Sequence, residues 1–173
     1  PRPMTGKGFR DMRTTLLALG AAGAAVAFHA LSAQGTPDRS QDIAWMSAQQ
    51  AHLSGLTRED GWYTTPEGLK WRYVDYVGKG PQPTVADTVT VHYAGTFIDG
   101  ETFDSSFDRG EPATFPLGRL VKAWQIAIPQ MHVGETIELA APAELAYGVS
   151  GKGPIPGGAT LLFTVQLIGI EGE

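Results

Sequence analysis

Two runs of this chain alternate apolar and polar residues with a period of two, and this pattern constrains the fold more than any other feature. Residues 88–97 set Val89, Val91 and Tyr93 on one face and Thr90, His92 and Ala94 on the other. Residues 160–170 repeat the device with Leu161, Phe163, Val165 and Leu167. Successive side chains of a strand point to opposite faces of a sheet, so each run predicts a strand buried on one face. Shorter signals agree. Trp71, Tyr73 and Asp75 alternate with Arg72, Val74 and Tyr76 ahead of the turn cluster Gly78-Lys79-Gly80-Pro81, and Asp99-Gly100 supplies a hairpin turn before Thr102 and Phe103. Residues 135–141 form a further candidate strand. Only Leu120, Trp124 and Ile128 recur at helical spacing, and Pro129 closes that segment, which predicts one short helix with a single buried stripe. The economical assembly is α+β, an antiparallel sheet wrapped over one helix.

Composition excludes several alternatives. With 22 glycines and 12 prolines in 173 residues, the chain carries far more turn formers than the usual ~12%. The 42% hydrophobic content is ordinary for a packed protein. Lys and Arg number 13 against 18 Asp and Glu, a net charge of −5, and no basic stripe exists to neutralise a phosphate backbone, so no nucleic-acid partner is expected. The chain has no cysteine, which rules out disulfides, thiolate metal sites and thiol catalysis.

The first 33 residues differ in kind from the rest. Lys7, Arg10 and Arg13 precede an uncharged run over residues 16–28, followed by Ala30-Leu31-Ser32-Ala33. A basic stretch, a short apolar core and small residues are the three parts of a secretory signal. The run is shorter than the roughly 20 apolar residues that span a bilayer. Residues 1–33 are therefore expected to be a signal peptide, cleaved or kept as an anchor, with an exported, periplasmic destination and no membrane contact after cleavage. Residues 34–65 read as a polar connector with one short helix. Its Trp45, Met46 and Leu53 would pack on the main domain or on a second copy, giving a monomer or a weak dimer, or the stretch would be a partly ordered spacer. The main domain is expected over residues 66–173.

Common chemical signatures are missing. His29, His52, His92 and His132 are scattered without ligand spacing, so no metal is expected, and no nucleophile elbow, P-loop or dinucleotide fingerprint occurs, so no cofactor is expected either. What remains is a set of large rings near strand ends, Tyr93, Phe103, Phe107, Phe115, Trp124, Tyr147 and Phe163, which line a pocket or simply fill a core.

Five separated blocks then carry a resemblance. VTVHYAGTFIDGETFDSSFDRGEPATFPLG over residues 89–118, Trp124, MHVGE at 131–135, PAELAYG at 142–148 and IPGGATLLFTVQLIGI at 155–170 resemble the FKBP-type peptidyl-prolyl cis-trans isomerases, in order and with tight spacing. The resemblance implies a twisted antiparallel half-barrel around one short helix, and catalysis of rotation about X-Pro bonds. By position it assigns Tyr93, Phe103, Asp104 and Tyr147 as catalytic and Arg109, Phe115, Leu120, Val121, Trp124, Ile155 and Phe163 as substrate-binding. Trp124 would be the floor under the proline ring, Tyr147 would donate to a substrate carbonyl, and Asp104 paired with Arg109 would sit at the rim. Phe115 and Phe163 would be buried in any fold with this pattern. The implied partners are proline-containing unfolded chains or peptides and a macrolide inhibitor. A client-binding module of the same fold with little isomerase activity is the other reading. Departures from the family pattern fall at Ala113, at Ala123, at Lys152 in the late loop and at the single Ile before Pro156, and they bear on substrate preference more than on activity.

Overall fold

The structure, a computed structural model, describes Arg39 and residues 41–172; the expected signal segment, residues 1–33, lies outside the described residues. Helix α1 (Ile43–Gly55) comes first, followed by strands β1 (Tyr63–Thr64), β2 (Lys70–Asp75), β3 (Thr88–Thr96) and β4 (Thr102–Ser105), the one-turn helix α2 (Ser106–Arg109), β5 (Ala113–Pro116), helix α3 (Lys122–Ala127), β6 (Thr136–Ala141) and β7 (Leu161–Ile170). All strand pairs are antiparallel, in the order β1-β2-β6-β7-β3-β4, with β5 also on β3. The expected α+β architecture is what the chain adopts.

Strand β3 organises the sheet because its outer edge serves two partners. Its first half pairs with β5, Val89 opposite Phe115 and Val91 opposite Ala113, while its second half pairs with β4, Gly95 opposite Asp104. Helix α2 bridges the gap between them, capped by Ser105, whose hydroxyl accepts from the Asp108 N–H at 3.2 Å. The other edge of β3 runs along β7, Tyr93 opposite Val165 and Gly95 opposite Phe163.

The period of two is realised as read: Val89, Val91, Leu161, Val165 and Leu167 are fully buried, and Tyr93 and Phe163 nearly so. With Ile137 and Leu139 of β6 they close around α3, whose Ala123, Trp124 and Ala127 face inward. The helix is shorter than the spacing of Leu120, Trp124 and Ile128 predicts. Leu120 precedes it, at the end of a 3-10 turn over Leu117–Arg119, and the chain continues past Ala127 into a second 3-10 turn over Ile128–Gln130. Pro129 does not end the segment. It sits in the first turn of that 3-10 element, where its missing N–H is not needed.

The stretch before the domain is packed against it. Asp42 caps α1, accepting from the Trp45 N–H at 3.0 Å. Three contacts then hold the helix and the residue that ends it to the loop before β7 and to β2: Trp45 Nε1 donates to the Gly157 carbonyl at 3.3 Å, Gln49 Oε1 accepts from the Thr160 N–H at 2.9 Å, and Lys70 Nζ donates to the Leu56 carbonyl at 2.7 Å. A Cβ on Gly158 would meet Met46 Sδ at 2.7 Å, so bare backbone at this position lets the helix close in. Strand β1 adds a short edge to β2, and Trp62 is buried beneath the Arg72 guanidinium, 4.9 Å from the ring centroid.

A second link is built on Glu135. Its carboxylate is fully buried just before β6 and accepts from the backbone N–H groups of Val77, Gly78 and His132 at 2.8–2.9 Å and from His132 Nδ1 at 3.2 Å. Burial pushes the acid pKa up, but the backbone donors outweigh it and hold the group below the ordinary glutamate value.

Candidate functional site

A cavity of about 300 Å³ opens between α3, the β4–β5 edge and the loop after β6, at the lower end of the usual range for ligand pockets. Trp124 forms its floor. The rings of Tyr93, Phe163 and Phe115 stand nearly perpendicular to the indole, with centroids at 5.3, 5.5 and 6.4 Å and interplanar angles of 79, 82 and 75°. Phe103 meets Phe163 at 5.7 Å and 90°. Edge-to-face packing of this kind fixes each ring against its neighbours. Gly95 makes room for the two phenylalanines, since a Cβ there would lie 2.5 Å from the Phe103 ring and 3.1 Å from that of Phe163.

The polar groups are fewer. The Tyr93 hydroxyl donates to Asp104 Oδ2 at 2.5 Å and accepts from Arg109 Nη2 at 3.0 Å, while Arg109 Nη1 reaches Asp104 Oδ1 at 2.5 Å. This triangle closes on itself. Burial, and then the bond to Asp104, push the Tyr93 phenol above its ordinary pKa. Tyr147 differs: its hydroxyl has no hydrogen-bond partner among the described residues. Burial, helped by the charge of Asp104, also raises its pKa, which keeps the phenol protonated and able to donate. The Trp124 Nε1–H is buried with no partner among the described residues.

Nine of the eleven residues that the sequence singles out line the cavity: Tyr93, Phe103, Asp104, Phe115, Leu120, Val121, Trp124, Tyr147 and Phe163. Arg109 is not in the wall and touches the site only through Asp104 and Tyr93. Ile155 lies in the core cluster, bridged to Lys152 by two backbone hydrogen bonds of 2.9 Å that shape the late loop. Phe107 is exposed and stacks on His92 at 4.7 Å, away from the cavity. Two lining residues were not among the eleven, Arg119 and Lys152. Lys152 stands out in the sequence only as a departure in the late loop. Arg119 could have been found from its place next to Leu120. Neither His92, bonded to Ser106, nor His132, bonded to Glu135, lines the wall, and the described residues contain no cluster of potential metal ligands.

Residues 80–168 match the family described as FKBP-type peptidyl-prolyl cis-trans isomerase. The chain is 43% identical over 122 residues to the isomerase FkpA of Aeromonas hydrophila, a match covering 70% of this chain and 45% of that protein. It is 51% identical over 92 residues to FK506-binding protein 2 of Emericella nidulans, covering 51% of this chain and 68% of that one. Among solved structures it resembles FkpA from Escherichia coli, with a TM-score of 0.71 and 37% identity over 75% of this chain and 61% of that chain. The chain spans about half the length of the bacterial relatives it matches, FkpA of Aeromonas hydrophila and Mip of Coxiella burnetii among them.

Proposed function

The chain belongs to the FKBP-type peptidyl-prolyl cis-trans isomerase family, and from that membership we propose that it accelerates rotation about X-Pro bonds in peptides and unfolded chains. The observation that carries this reading is the ring box itself, an indole floor with aromatic walls and one free phenol at its edge. Rotation about a peptide bond must break C–N resonance, at a barrier of about 18–20 kcal/mol, and it needs no nucleophile. An apolar box that strips water from the amide favours the less polar twisted form over either planar one. In this reading the prolyl ring stands on Trp124 between Tyr93, Phe103 and Phe163, and the Tyr147 hydroxyl fixes a neighbouring carbonyl. Asp104, held by Arg109, anchors the Tyr93 hydroxyl. A macrolide inhibitor would occupy the same box, so it should compete with substrate.

Acceleration of cis-trans exchange in a short X-Pro peptide, abolished by a macrolide, is the expected result. No acceleration at micromolar protein would turn the reading to client binding without catalysis. That second reading draws on an aromatic ladder outside the cavity, Tyr63, Trp71, Tyr73 and Tyr76, whose successive centroids are 5.5, 5.1 and 4.8 Å apart and whose two ends are exposed.

Export is part of the proposal and rests on the leader-like pattern of residues 1–33. No helix among the described residues is long and apolar enough to cross a membrane. N-terminal sequencing of the mature protein should find a start near Ala33 or Gln34. We further propose a monomer, or at most a weak dimer, because Trp45 and Gln49 of α1 already bind the chain's own backbone. Light scattering tests this.

A further inference from the structure

The cavity has an uneven charge distribution at its mouth. Asp104 is the one carboxylate among the described residues that line it, and both its oxygens are taken up by Tyr93 and Arg109. Arg119 and Lys152 line it too, and both are exposed. Neither forms an ion pair among the described residues. The Lys152 ammonium lies 5.8 Å from the centroid of the Tyr147 ring, which places a cation beside the phenol that in our reading grips the substrate. Arg119 also lines the cavity, next in sequence to the lining residues Leu120 and Val121. The chain as a whole is acidic, with a net charge of −5, so these two free cations oppose the sign of the molecule where a substrate would enter. At physiological salt, charges further apart than about 8 Å are largely screened, so a bound peptide feels the near pair more than the distant excess of carboxylates.

We propose that Arg119 and Lys152 make this site selective for prolines flanked by an acidic residue. The inference rests on the isomerase reading for its substrate and adds the class of X-Pro sequence preferred. A carboxylate beside the proline would find two cations without displacing a carboxylate from either, whereas a lysine there would meet like charge. Exposed ion pairs are individually weak and salt-dependent, so the effect should be a graded preference rather than an absolute requirement.

The test uses the full chain and peptides that differ only beside the proline: Glu, the isosteric Gln, Leu and Lys before it, and Glu or Gln after it. Exchange rates are read by NMR and binding by titration, both at low salt and at about 1 M, where the screening length is about 3 Å. At low salt kcat/KM for the Glu peptide should exceed that for its Gln twin by about three- to tenfold, consistent with two exposed pairs, and Lys should rank last. High salt should bring the Glu-to-Gln ratio close to one. The double variant Arg119→Gln/Lys152→Gln should bring it close to one at low salt, while the charge-conserving Arg119→Lys/Lys152→Arg should retain most of it. A ratio of one in the unmodified chain, with the Leu peptide still isomerised, overturns the selectivity and leaves the isomerase reading standing. If no peptide is isomerised, that reading falls, and the dissociation constants decide the selectivity: equal affinity for Glu and Gln peptides overturns it, and a salt-sensitive preference for Glu supports it.

Discussion

Replacing Trp124 by Ala removes the ring on which Tyr93, Phe115 and Phe163 rest edge-on, and a buried aromatic truncated in this way costs about 3–5 kcal/mol of stability. Trp124→Phe should cost much less, because the indole N–H has no partner to lose. Thermal melts of the two variants check the contrast, and a Phe variant as unstable as the Ala variant would mean that one six-membered ring cannot support the three walls. Tyr147→Phe keeps the ring and removes one free hydroxyl. If that hydroxyl only orients a carbonyl, kcat/KM should fall by roughly two- to tenfold, the value of a single neutral hydrogen bond. The pH profile follows from the same two phenols. Burial raises both the Tyr93 and Tyr147 pKa values above the ordinary value of about 10, so neither changes charge near neutrality, and no histidine lines the cavity. The rate should be flat between about pH 6 and 8, where acid–base enzymes commonly show a bell. A limb near 6.5, the ordinary histidine value, would require a proton-transfer step that the ring box does not provide.

At the scale of elements, Glu135 ties the start of β6 to the Val77-Gly78 turn after β2 through backbone donors alone. Its pKa is lowered in the fold, so its contribution to stability is complete above the unfolded value of about 4.3 and is lost as pH falls through that value toward the folded one. Glu135→Gln should therefore lower the urea midpoint at pH 7, and the difference from the parent should shrink below about pH 4. A constant difference across that range would show that the carboxylate charge is not what the turn binds. Elements were legible to unequal degrees. Strands β3 and β7 announce themselves because a half-buried strand writes its burial into every second residue. Helix α3 shows in the sequence by its place but not by its ends, because the flanking 3-10 turns extend the same apolar spacing on both sides of a turn and a half of helix. For α1, the sequence offers packing of Trp45 and Met46 on the main domain as one alternative, but not its landing points: Trp45 and Gln49 reach backbone groups at Gly157 and Thr160, more than a hundred residues away, and no local pattern encodes that.

Across the whole molecule, the site was legible where rings were concerned and less so where charges were. Aromatic residues are few and their roles follow from the family blocks, so nine wall residues were named from sequence. Arg119 and Ile155 exchange places with expectation because loop geometry decides them: a 3-10 turn brings Arg119 to the mouth, and the Lys152–Ile155 bridge turns the isoleucine inward. Gly95 left no signal of its own, since a glycine in a strand reads as a weakness until the two rings above it are seen. Strand order has a consequence for how the molecule is made. β7 lies between β6 and β3 and, among the described residues, is the only strand that joins the β1-β2-β6 half of the sheet to the half built on β3. Until residues 161–170 have been synthesised, the two halves present apolar faces and open edges with nothing between them, and distant pairings of this kind form late. The two halves of the sheet therefore cannot join into one cooperative unit before this strand is in place. A chain ending at residue 160 should lose its cooperative melt and aggregate, as light scattering and circular dichroism would report, while a retained melt would mean that one half of the sheet folds alone.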